Sequence, residues 1–393
     1  MLMTAIAVIA TALSGLGVLQ GLAGWGLATR FGTRTPAGTG GRPPVSILKP
    51  LYGDEPLLEA ALASACTQDY PDWQVVFGVQ SPSDPAVAVV RRVQARFPDR
   101  DLALVIDPSL HGENRKVGNL INMLPAAKHP VLVIADSDVH AAPNYLHHLL
   151  AALHEPETGL VTTLYAGLPA NRSLAARLGM TQITHIFLPG ALLARQFGRQ
   201  DCLGATMCLR RETLMRIGGF AALVDHLADD AVLGRLVQGL GLRVRLAATV
   251  PLTTVPETSL PALFRHELRW ARTIRLLEPA GFAASILQYP LFWALLAVLV
   301  AGAAVWSVGV FGLAWVLRAL AASGVDRALH RHLGEHDVSV PVHLLPLRDL
   351  LSVIVMLASY GGKRVDWRGY SLQADTPPPL EPGMLPLRSA EDL

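Results

Sequence analysis

Three acidic groups in the sequence have the type and spacing to do chemistry: Asp84 in Ser81-Pro-Ser-Asp84-Pro, the pair in Asp136-Ser-Asp138, and Leu227-Ala-Asp229-Asp230. Two carboxylates one residue apart can jointly hold a hard divalent cation, Mg or Mn, which prefers oxygen ligands and bridges to substrate phosphates. Such a cation neutralises charge building on a departing diphosphate. Asp136 and Asp138 have that spacing. Asp230 could take a proton from an attacking hydroxyl if geometry brings the two within hydrogen-bond reach; equally, it or Asp229 could cap the helix expected over Ala231–Gly239. Asp84 taken alone reads as well as a turn residue.

Two further clusters carry basic or aromatic groups. In His266-Glu-Leu-Arg269-Trp270, positions i, i+3 and i+4 of a helix share a face, so His266, Arg269 and Trp270 are expected to point one way and Glu267 aside. A guanidinium suits phosphate oxygens and an indole suits a sugar or lipid; the same pair would also serve as an interfacial anchor. Asn114-Arg-Lys116-Val-Gly-Asn119 opens a helix, where backbone amides and Lys116 could meet an anionic diphosphate. A solvated basic turn explains it nearly as well.

These residues need a scaffold that gathers them. The runs at 45–48, 73–79, 102–106 and 131–135 are short, apolar and bounded by turn signals, as buried strands are. Helical stretches at 55–67, 85–97 and 115–127 alternate with them. That alternation predicts an α/β fold with a mostly parallel sheet covered by helices and ligands at the carboxyl ends of the strands. No G-x-G-x-x-G or P-loop motif follows any strand, so the common dinucleotide and P-loop fingerprints are absent.

The flanks are of another character. Hydrophobic residues make up 51% of the 393 and charged residues only 16%, with mean hydropathy +0.37, against about 25% charged in soluble proteins. A purely soluble or disordered chain is disfavoured, and a net charge of +2 makes nucleic acid an improbable partner. Residues 1–29 hold no Asp, Glu, Lys or Arg and suffice for one bilayer crossing of about 20 residues. Arg30, Arg34 and Arg42 follow and, by the positive-inside rule, put the next domain in the cytoplasm of an inner membrane protein.

Residues 281–316 carry no formal charge and are too long for one span, which predicts two tightly connected ones. Residues 340–360 form a further candidate span with Arg348 and Asp349 as an ionic pair near one end. The stretch 183–197 is too short to cross and reads as an interfacial or core helix. The expected organisation is a transmembrane helix (1–29), a cytoplasmic domain (43–275), transmembrane or interfacial helices (281–362) and a disordered Pro-rich tail (375–393). Cys66, Cys202 and Cys208 lack metal-type spacing and read as buried thiols.

In order, Asp84, Asp136-Ser-Asp138, Asp229-Asp230 and His266-x-x-Arg269-Trp270 resemble the GT-A glycosyltransferases of the family 2 type, and most closely family 21. That family contains ceramide glucosyltransferases and the hopanoid-biosynthesis-associated enzymes of bacteria. The stretches at 79–86, 202–210, Gly218-Gly-Phe220 and Trp367-Arg-Gly-Tyr370 support the resemblance. It implies a nucleotide-diphospho-sugar transferase domain and inverting transfer from a UDP-sugar to a membrane-lipid hydroxyl. Asp84 would contact the nucleotide, Asp136 and Asp138 would hold Mg or Mn with the diphosphate, and Asp230 would be the base. Arg269 and Trp270 would complete the leaving-group and acceptor site.

His266 stands where the family usually has Gln or Arg, and Asp138 completes a pair that ceramide enzymes lack, which tilts the acceptor away from ceramide. Only four of the 33 basic residues are Lys, a sign of a GC-rich bacterial genome. A hopanoid such as bacteriohopanetetrol is therefore the favoured acceptor, and the family resemblance implies N-acetylglucosamine as the favoured sugar. The competing readings are a ceramide or glycerolipid hexosyltransferase and, in another class, a catalytically silent nucleotide-binding scaffold.

Overall fold

The computed structural model describes residues 1–34, 41–333, 338–362, 364–367 and 370–373. The expected tail 375–393 and the centre of Trp367-Arg-Gly-Tyr370 lie outside them. Contacts divide the chain into two compact units. One is drawn from residues 36–163 and 200–249, the other from 1–35, 164–199 and 250–375.

In the first unit, β1 (Val45–Pro50), β2 (Trp73–Val79), β3 (Leu102–Ile106) and β4 (Val131–Ala135) run parallel in the order β3-β2-β1-β4. Their starts fall where the apolar runs begin, because each strand is bounded by Pro, Asp or Gly turn chemistry. The sheet continues through Thr206–Arg210, antiparallel to β4, then Thr158–Thr162 and Arg243–Leu246. Helices α2 (Leu58–Cys66), α3 (Ala86–Arg96) and α4 (Arg115–Met123) connect the parallel strands. Val75, Phe77 and Val79 face one apolar core with Leu62 and Val90, while Val76 faces the other with Leu120 and Leu132. Two buried faces explain why β1, β2 and β4 are continuously apolar rather than alternating, whereas β3, expected as a buried strand, lies at the sheet edge and is only partly buried.

Chain order reverses between β1 and β4. A doubly wound sheet opens its ligand crevice at such a switch point, outside the carboxyl ends of the strands. Asp136-Ser-Asp138 lies there as a turn closed by the Val139 amide donating to the Asp136 carbonyl at 3.2 Å.

The second unit begins with α1 (Leu2–Gly32). Among the described residues, three helices have the length and apolarity to cross a membrane: Leu2–Gly32, Val305–Leu333 and the stretch Val342–Ser359. A fourth candidate is the pair Pro279–Gln288 and Pro290–Val300, bent by 65°. The two spans expected in 281–316 thus divide differently. The break falls at 301–304, and the second helix continues to Leu333 because Arg318 and Asp326 find partners inside the bundle. Small residues permit close packing, as membrane helices need; a Cβ on Gly24 would come within 2.7 Å of Pro189 Cβ.

Arg348 and Asp349 do not form the pair with each other that their adjacency suggested. Arg348 grips Glu267 through two hydrogen bonds of 2.7 and 2.8 Å and also donates to the Leu178 carbonyl. Asp349 accepts from the Leu291 amide at 3.1 Å and stands 3.9 Å from Arg318. Both are fully buried. The stretch 183–197 is a π-helical turn, Ile183–Phe187, running into the helix Leu188–Gln196.

Candidate active site

Asn114 starts α4 by accepting from the Val117 amide at 3.1 Å, while its own amide donates to the His226 carbonyl at 2.7 Å. That cap fixes where Lys116 emerges. Its ammonium meets the Asp136 carboxylate at 2.8 Å and Asp229 at 3.4 Å, the second an ion-pair contact rather than a hydrogen bond. Two carboxylates thus hold the ammonium expected to meet a diphosphate. Burial acts to depress its pKa, but Asp136 and Asp229 outweigh burial and raise it, so Lys116 stays charged.

The helix Asp229–Gly239 begins two residues earlier than expected, with Ala228 at its cap position and no side-chain cap bond. Neither Asp229 nor Asp230 is the N-cap. Asp229 turns to Lys116, whereas Asp230 accepts from the adjacent Ala231 amide at 2.8 Å. Burial first, then the charge of Asp229, pushes the Asp230 carboxyl up to about 6, against some relief from Lys116. Asp229 is thus the ion-pairing carboxylate, and Asp230 is the one whose raised proton affinity suits a proton acceptor.

Beneath the Asp136 turn lies Lys49, which the sequence reading did not single out. At the end of β1 and only 1% exposed, it donates to the carbonyls of Asp136 at 2.9 Å and Val139 at 3.2 Å. Burial lowers its pKa to about 8 against the opposing pull of Asp138 and Asp136. A lysine at the end of a wholly buried strand was the signal available, since Lys is almost never buried unpaired. Glu55 is the other addition, accepting from Ser137 Oγ at 2.6 Å.

Asp84 does not touch this cluster directly. Its carboxylate accepts from the Gly53 amide at 2.9 and 3.2 Å and from the Ala86 amide at 2.8 Å. It thereby ties the loop that carries Glu55 to the start of α3.

His266, Arg269 and Trp270 form their own cluster in the second unit, on the helix Leu260–Leu277. The His266 and Trp270 rings lie 4.3 Å apart and the Arg269 guanidinium 6.0 Å from the indole, while Glu267 faces away to Arg348. The expected sharing of a face holds. His266 Nδ1 pairs with Glu257, whose carbonyl is fastened by Ser173 Oγ at 3.0 Å. Burial works to raise the Glu257 pKa, but the bond to His266 and its charge bring it below the usual value.

Among the described residues no three His, Cys, Asp or Glu side chains assemble a complete metal cage. The chemistry of Asp136 and Asp138 nevertheless fits a hard cation that takes one or two carboxylates and completes its shell with phosphate and water.

Comparison with known proteins agrees with this architecture. A mannosyltransferase from Pyrobaculum calidifontis, solved with GDP-Man and Mn2+, superimposes with a TM-score of 0.51 at 20% identity, covering 90% of this chain and 99% of that one. The fold is GT-A. Ceramide glucosyltransferase 1 of Caenorhabditis elegans is 22% identical over 234 residues, 58% of this chain and 49% of its own. An N-acetylglucosaminyltransferase of Rhizobium meliloti is 26% identical over 248 residues, 59% of this chain and 55% of its own. The chain spans about half the length of these curated relatives. The family model described as Glycosyl transferase family 21 matches residues 2–378, and the chain belongs to that family.

Proposed function

We propose that the protein is an inverting, membrane-bound hexosyltransferase that moves a sugar from a UDP-sugar to a lipid hydroxyl. The observation that carries this reading is the meeting of Asp136 and Asp229 at Lys116, with Asp230 beside them and its proton affinity raised. In this reading the lipid hydroxyl attacks the anomeric carbon, the bond to the UDP oxygen breaks, and Asp230 accepts the hydroxyl proton. Lys116 offers positive charge to the departing diphosphate, and Lys49 keeps the Asp136 turn in place through its carbonyls. Asp136 and Asp138 would hold a divalent cation, which would supply further neutralisation of the leaving group. Asp84 steadies the loop beside the nucleotide, and Arg269, Trp270 and His266 serve the leaving group and acceptor.

The favoured transfer is of N-acetylglucosamine to a hopanoid, supported by the complete Asp136/Asp138 pair and by likeness to an N-acetylglucosaminyltransferase. Likeness to ceramide glucosyltransferases supports a second reading, glucosyl transfer to ceramide. The Arg residues after α1 favour an inner-membrane protein with the sheet domain in the cytoplasm. Membranes from cells with and without the gene, supplied in turn with UDP-glucose, UDP-galactose and UDP-N-acetylglucosamine, test these readings through the masses of new glycolipids. A new hexosaminyl hopanoid is expected; a hexosyl ceramide would select the second reading, and no gene-dependent glycolipid would refute both.

A further inference from the structure

Within the helices of the second unit lies a cavity of about 30 Å³. Its floor is formed by His185 and Arg318, both buried, and its rim by Gln20, Gly21, Gly190 and Gln288, all partly exposed. Gln20 is near the middle of α1 and Arg318 near the middle of Val305–Leu333, so polar groups face one another at depths where lipid surrounds the bundle. Polar side chains there are costly and usually mark a functional place. His185 belongs to the π-helical turn, a local irregularity that recurs at functional sites.

Two buried atoms of these lining residues have no hydrogen-bond partner among the described residues: His185 Nδ1 and Arg318 Nε. His185 Nε2 stands 2.6 Å from the Asp326 carboxylate, which can only accept, so Nε2 carries a proton. Arg318 Nε is a donor. It lies 3.9 Å from Asp349, too far for a hydrogen bond, while Nη2 is spent on the His185 carbonyl at 3.2 Å. These two unpaired nitrogens, on residues that line one cavity, suit an O–H group, which can both donate and accept a hydrogen bond. The volume admits about two water-sized groups, at ~10–15 Å³ each, and excludes a sugar ring.

We infer that this cavity binds the hydroxyl end of a membrane amphiphile, its chain leaving past Gln20 and Gly21 toward the bilayer. Water offers the same O–H chemistry, so the test must separate the two sources. The full-length protein in phosphatidylcholine nanodiscs is photolabelled with a diazirine-bearing hexadecanol, and labelled peptides are mapped by mass spectrometry. Label is expected on peptides holding Gln20–Gly21 or Gly190, competed by unlabelled hexadecanol but not by hexadecyl methyl ether, which accepts a hydrogen bond and cannot donate one.

Two variants remove the site while keeping its ion pairs. Gly21→Leu fills the space, where a Cβ has 3.8 Å of clearance to Ala321, and Gln20→Leu removes a polar rim group. Each is expected to cut specific labelling about tenfold, the equivalent of one buried hydrogen bond. Should Gly21→Leu fail to fold, the near-isosteric Gln20→Leu decides. Labelling unchanged in the folded variants, equal competition by the ether, or no specific label at all, which leaves water as the occupant, would each overturn the inference. Because no UDP-sugar is present, the result is independent of whether the protein transfers sugar.

Discussion

Lys116 on α4 and Asp136 at the end of β4 are joined by a 2.8 Å ion pair, and the same ammonium reaches Asp229 at 3.4 Å. One cation therefore links the turn proposed to hold metal to the helix start that carries the proposed base. Removing it leaves two carboxylates without their shared partner. Lys116→Met is expected to lower kcat/KM for sugar transfer about 10- to 100-fold, the range of one lost charged hydrogen bond of ~1.5–3 kcal/mol. Steady-state kinetics in detergent or nanodiscs checks this, and a change under twofold would deny Lys116 a part in the reaction.

The buried environment of Asp230 predicts a pH dependence. With the Asp230 carboxyl raised to about 6, a base at this position is silenced by protonation as the pH falls below that value. The acidic limb of kcat/KM should accordingly bend near pH 6, since this parameter reports the free enzyme. The linked stability effect has the opposite sense. A carboxyl whose folded pKa is raised from 3.8 favours folding below about 4, and that contribution is lost as the pH rises through about 6. Thermal melts of wild type and Asp230→Asn should thus diverge between pH 4 and 7, the variant gaining relative stability at the higher pH.

Metal removal gives a separate test. Dialysis against EDTA should abolish transfer, and added Mn2+ or Mg2+ should restore it. Asp138→Asn should raise the metal concentration needed for half-maximal activity by about tenfold or more. Full activity after exhaustive chelation would argue against the proposed role of Asp136 and Asp138.

Glu267 and Arg348 form a buried bidentate pair that ties the helix Leu260–Leu277 to Leu345–Ser359. Breaking such a pair from one side strands a buried charge and typically costs about 3–5 kcal/mol. Arg348→Met should lower the melting temperature sharply, and Arg348→Met with Glu267→Gln should recover part of the loss. An unshifted melting temperature in the single variant would show the pair to be dispensable.

Much of the sheet was legible because burial on both faces leaves a continuous apolar imprint. β2, β3 and β4 begin and end where their apolar runs do, and β1 extends two residues further, through Lys49 and Pro50. Those two residues do not look like strand interior, which is why Lys49 escaped notice. Asp136 and Asp138 could be found from their spacing and the strand before them. The fate of Lys116 could not, because its partners lie 20 and 113 positions away and only the folded topology brings them near. The same holds for Glu257, whose pairing with His266 has no local pattern. In the helical flank, charge counts located the apolar segments but not their breaks. Arg318, Arg348 and Asp349 look like span-ending residues until tertiary partners bury them.

The central claim is most directly tested by transfer from a labelled UDP-sugar into extracted membrane lipid, comparing wild type with Asp230→Asn at pH 7.5 in the presence of Mn2+. The account predicts lipid-linked label with the wild type and a fall of at least ~100-fold in the variant, with nucleotide-sugar binding and melting temperature maintained. Equal transfer by both proteins, or no lipid-linked label from any UDP-sugar with the folded wild type, would contradict it.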